Sequence, residues 1–137
     1  MLRTMGWLAL AFLLFAPGAR GQGTPAGGEP TFQDRPLSAW MQDLNAPAPY
    51  TRNAAAYAIS SMGPAAKSAV PALIASLEDP AAAVRFPVAY ALGEIGPDAI
   101  AAVPALTKTM DDVNDDVAFM ARKAIKKITG TAPEPPQ

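Results

Sequence analysis

The chain repeats itself with a period of 33 residues, and few architectures satisfy that constraint. TRNAAAYAISSMGPAAKSAVPALIASLEDPAAA (residues 51–83) lies in gapless register with VRFPVAYALGEIGPDAIAAVPALTKTMDDVNDD (residues 84–116). Tyr57 matches Tyr90, and Gly63-Pro64 matches Gly96-Pro97. Val70-Pro71-Ala72-Leu73 matches Val103-Pro104-Ala105-Leu106, and Asp79 matches Asp112. Abundant alanine produces chance identities, but not these residue types in one register. The step continues forward, where Ala124, Ile125 and Ile128 follow Ala91, Leu92 and Ile95. It also runs backward, where Leu37, Trp40, Met41 and Leu44 precede Val70, Leu73, Ile74 and Leu77. A period of this length marks stacked units, none of which can bury its apolar face alone.

Each unit reads as two helices. Ala55, Ala58, Ile59 and Met62, then Val84, Val88, Ala91, Leu92 and Ile95, recur at spacings of three and four. Gly63-Pro64 and Gly96-Pro97 end this first helix, the glycine as a left-handed cap and the proline refusing further helix. The second helix carries Val70, Leu73, Ile74 and Leu77, then Val103, Leu106 and Met110, with Pro71 and Pro104 near its start. If residues 65–69 are helical too, a bend near the proline follows. Asp79 and Asp112 are candidate N-caps for the next helix. Pro87 fits only if its helix starts late, near Ala82, or kinks. Trp40, with Phe32, is positioned to cover the open first end of the core.

Gly-Pro-x-Ala, Val-Pro-Ala-Leu, the aspartate and then Val84-Arg85 together resemble the HEAT repeat, in its short EZ-HEAT or phycobilisome-lyase-type variety, over residues 36–129. The resemblance implies an all-α, right-handed α-α superhelix of about three helix pairs. It places first helices on the convex side and second helices on the concave side, where partners are held. It also implies a buttress between Asp79 and Arg85. Thr51 and Ala118 depart from the pattern, Ala118 standing where the last unit would have arginine, which loosens the last joint.

The composition removes most chemistry. With no cysteine and no histidine, disulfides, thiolate or imidazole metal sites and a Ser-His-Asp relay are excluded. Residues 1–21 (MLRTMGWLALAFLLFAPGARG) follow the plan of a secretory signal peptide: Arg3, an apolar run, the Pro17-Gly18 break, and small residues before a cut at Gln22. The run is short for a membrane span, which takes roughly 20 residues. Its removal leaves nine basic and twelve acidic side chains, an exported chain with no field favouring nucleic acid and no stable membrane anchor. Residues 22–35 read as a flexible leader, 36–130 as the repeat domain (half units 36–50 and 117–129 flanking the two full units), and 131–137 as a disordered proline-rich tail.

No catalytic residue, metal or cofactor is expected. Asp112, Asn114 and Asp116 open like a calcium loop, but Val117 and Lys123 stand where its glycine and glutamate belong, so these acids read as helix caps. Arg122, Lys123, Lys126 and Lys127 read as a solvated end-cap face, or a contact for an acidic partner. Tyr57 and Tyr90 either form an exposed aromatic ladder or pack between convex helices with only their hydroxyls wet. With the apolar stripes turned inward, a lane of Ala39, Ala72 and Ala105 crosses the concave side, bordered by Gln42, Asp43, Ser76, Lys108 and Thr109. These eight residues are the candidate partner-binding site. The function expected is a non-catalytic scaffold for a protein partner; the alternatives are an accessory subunit of an enzyme and a self-associating structural protein of the cell envelope.

Overall fold

The computed structural model of the chain describes residues 28–135. The signal segment and residues 22–27 of the leader lie outside the described residues. Helices follow in the order α1 (Leu37–Asp43), α2 (Pro49–Met62), α3 (Val70–Ser76), α4 (Ala82–Ile95), α5 (Val103–Thr109) and α6 (Asp115–Thr129). Gly63–Ala69 and Gly96–Ala102 form 3-10 segments between the two helices of each full unit.

The 33-residue step is visible in the boundaries themselves: α2, its 3-10 segment and α3 recur as α4, its 3-10 segment and α5 with every end displaced by one period. The core repeats likewise. Leu73 and Leu106 are fully buried, as are Val84 and Val117, and Leu44, Leu77 and Met110 occupy one buried row. Helix α4 packs between α2 and α6, and each second helix packs on the first helix that follows it. Among the described residues no helix is long and apolar enough to cross a membrane.

The caps differ in detail from expectation. Gly63 and Gly96 have positive φ, 56° and 77°, but ψ of −137° and −143°, a conformation only glycine adopts without strain. The chain thus leaves the helix extended rather than left-handed. Pro71 and Pro104 do sit in the first turn of α3 and α5, after a kink at Ala66 and Ala99. Pro87 lies inside α4, which begins at Ala82.

The leader is a correction. Residues 28–35 were expected to be flexible, yet Thr31–Phe32 (β1) and Arg35–Pro36 (β2) pair antiparallel around a two-residue turn, with Gln33 and Asp34 both at positive φ. The reason is what it covers. Phe32 lies 6.3 Å from the Trp40 ring, Trp40 Nε1 donates to Phe32 O, and the Arg35 guanidinium sits 4.3 Å above the same indole. The Glu29 carboxylate accepts from the N–H of Ser38, at an α1 start that has no cap of its own. This small hairpin therefore closes the first end of the all-α stack.

Candidate functional site

The second helices α1, α3 and α5 form the surface on which a partner was expected. Of the eight residues, Gln42 and Lys108 are on its open side. Ala39, Ala72 and Ala105 are half-buried, and Ala72 and Ala105 pack against the core. Thr109 is buried, its hydroxyl donating to Ala105 O at 2.9 Å, and Ser76 Oγ turns back to Ala72 O at 3.0 Å. Asp43 is held by Arg35 at 2.6 Å. The alanine lane is thus a seam rather than an open floor. The exposed rows, one period apart, are Gln42, Ala75 and Lys108, and beside them Asn45, Glu78 and Asp111.

Between the second and third loops this surface opens into a groove of about 410 Å³, lined by Glu78, Arg85, Lys108, Asp111, Asp112 and Val113 among others. Lys108 Nζ spans it to Glu78 at 2.8 Å, and Val113 stands at its lip, 97% exposed.

A charged ladder fixes this edge. Arg52 donates to both carboxylate oxygens of Asp79, at 2.7 and 3.1 Å, and Arg85 does the same to Asp112, at 2.7 and 2.9 Å. The remaining amine of each guanidinium reaches into the preceding loop, Arg52 to Ala46 O and Pro47 O, Arg85 to Asp79 O and Pro80 O. The expected Asp79–Arg85 buttress is therefore rewired: Arg85 takes the Asp79 backbone, while the Asp79 carboxylate belongs to Arg52. Nor do Asp79 and Asp112 cap helices. They accept from the N–H of Ala81 and Asn114, and Asn114 caps α6 by accepting from Asp116 and Val117. Burial pushes the Asp79 carboxyl up, but the Arg52 and Ala81 hydrogen bonds hold it below its ordinary value; the Arg85 bonds lower Asp112 against its own burial. Asp112 and Asn114 are so engaged that the calcium-loop residues do not share a ligand set, and among the described residues no group of three or more acids converges on one point.

The first helices carry aromatic and basic side chains at the same period. Tyr57 and Tyr90 are in contact, centroids 6.4 Å apart and tilted by 55°, and Tyr57 is 43% exposed, more than a wet hydroxyl. Phe86 and Phe119, one period apart, flank a second groove of about 470 Å³ with Met120. This pair was not singled out from the sequence, although its 33-residue spacing was there to be read. The basic quartet is divided: Lys127 pairs with Glu94, Lys123 lies over the Phe119 ring, and Arg122 reaches Met110 O.

A sequence model of the family described as HEAT repeats matches residues 37–126. No curated protein matches the chain. Among solved structures, the crystal structure of an engineered protein from the Northeast Structural Genomics Consortium is similar, with TM-score 0.60 and 23% identity. The match covers 69% of this chain and 45% of that one, so the chain spans less than half the length of that protein; at this identity the likeness is one of fold.

Proposed function

Because the chain belongs to the HEAT-repeat family, we propose that it is a non-catalytic scaffold that holds a protein partner on the concave face of α1, α3 and α5, outside the cytoplasm. Solenoids use extended surfaces of this kind for binding, and HEAT repeats mediate contacts between proteins. One observation carries the reading: exposed side chains recur once per unit along this face, at Gln42, Ala75 and Lys108 and at Asn45, Glu78 and Asp111, and open into the groove beside Val113. A row of that kind offers regularly spaced contacts to a partner's chain. The acidic balance of the exported part disfavours nucleic acid. Export rests on residues 1–21.

Capture from the exported fraction tests the site. The variant Ala75→Arg/Lys108→Glu should lose the partner that the wild type retains, with unchanged circular dichroism. A folded variant that captures as well as the wild type would remove the concave face from consideration. N-terminal sequencing of the secreted protein should begin at Gln22.

A further inference from the structure

The outward face of α6 is its own electrostatic complement. Asp115 and Asp116 stand in its first turn, Phe119 one turn on, and Arg122 and Lys123 in the next. At 3.6 residues per turn all five point within about 60° of the Phe119 direction. Asp115, Asp116 and Lys123 are exposed, and among the described residues none of them makes an ion pair. Phe119 is 55% exposed and forms one wall of the groove closed by Phe86 and Met120.

We propose that α6 pairs antiparallel with the α6 of a second copy about a two-fold axis passing by Phe119. Such an axis sets residue 119 + n at the height of the partner's residue 119 − n. The rotation also keeps each lateral side of the interface, so Lys123 meets the partner's Asp116 on one side and Arg122 meets the partner's Asp115 on the other. Because the contact is isologous, both pairs form twice. Each Phe119 enters the other copy's groove between Phe86 and Met120, so the two rings leave water together. A parallel arrangement would set Asp115 against Asp115 and Lys123 against Lys123, so charge selects the antiparallel one. A second copy is the occupant that this pattern specifies, since a different partner would have no need of a face that is complementary to itself under a two-fold rotation. One helix and one groove bury less than the roughly 1,600 Å² of a standard stable interface, which makes the dimer reversible and dependent on concentration.

Sedimentation equilibrium on the exported protein tests this through a charge swap. The wild type should approach twice the monomer mass as concentration rises toward ~1 mM. Arg122→Asp/Lys123→Asp makes the face wholly acidic, and Asp115→Lys/Asp116→Lys makes it wholly basic. Each alone should dimerise about tenfold or more weakly, and an equimolar mixture should recover the dimer. Phe119→Asp should be monomeric throughout. The single substitutions Lys123→Asp and Asp116→Lys replace any double variant that circular dichroism shows to be unfolded. A monomeric wild type, variants that dimerise as the wild type does, or a mixture of folded variants that stays monomeric would each overturn the proposal.

Discussion

Asn53 on α2 donates its side-chain amide to the carbonyl of Ala83 on α4, 2.5 Å away, and Pro87 is the reason that carbonyl is free. Proline has no N–H to return to the fourth residue before it. The neighbouring helix supplies the missing donor, and α4 runs unbroken through its proline. Asn53→Ala should cost about 1 kcal/mol, the value of a typical net hydrogen bond. In a Pro87→Ala background the N–H of residue 87 satisfies Ala83 and the cost should shrink. A double-mutant cycle by urea denaturation checks this, and a coupling indistinguishable from zero would refute the pairing.

The arginine ladder predicts how the protein responds to acid. The folded-state carboxyls of Asp79 and Asp112 lie below their ordinary value. The unfolded chain therefore binds protons first as pH falls. The stability these groups contribute is fully present above the ordinary carboxylate value, near 4, and is lost as pH drops through the folded values. Thermal unfolding followed between pH 7 and pH 2 should be nearly flat above about pH 5 in this contribution and fall below it. Asp79→Asn/Asp112→Asn should be less stable than the wild type at pH 7, and the gap should narrow at pH 2.

At Gly93 the α4 backbone lies tight against Ala124 of α6. A Cβ built there lies 3.1 Å from Ala124 Cα and 3.3 Å from Ala124 Cβ. Backbone cannot swing aside, so Gly93→Val must separate the helices or strain them, at a cost of about 1–3 kcal/mol. Chemical denaturation should show it as a lower midpoint.

Among the described helices, Asn114 is the one N-cap residue whose own side chain caps its helix. Asn114→Ala should cost about 1 kcal/mol, while Asn114→Asp retains the acceptor and should remain within a few tenths of the wild type. Equal loss in both variants would show that the side chain does something other than cap α6.

The element boundaries were legible because the period carries them: glycine-proline, valine-proline and aspartate punctuate each unit at the same places. Partner choice was harder to read. Asp79 has Arg85 near in sequence and Arg52 across the hairpin, and both arginines in fact reach it, one at the backbone and one at the carboxylate. The open face was misplaced by one step around helices of seven residues, too short for an apolar stripe to fix their rotation. Thr109 shows why, being polar yet buried with its hydroxyl spent on Ala105 O. Asn53 and Pro87 could have been paired from the repeat, since both break its register, Asn53 where the next unit has Phe86 and Pro87 where the previous one has Ala54. The leader hairpin could not: its turn is Gln33-Asp34, without the glycine or asparagine that announces such turns.

Successive hairpins are interchangeable units sharing one continuous core. Inserting a second copy of residues 84–116 between Asp116 and Val117 tests it most directly. The product should be a longer folded protein, more stable to urea, unfolding in one transition, and extended in small-angle scattering by one helix layer, ~10 Å. An insertion that unfolds the protein, or that leaves its length and stability unchanged, would contradict it.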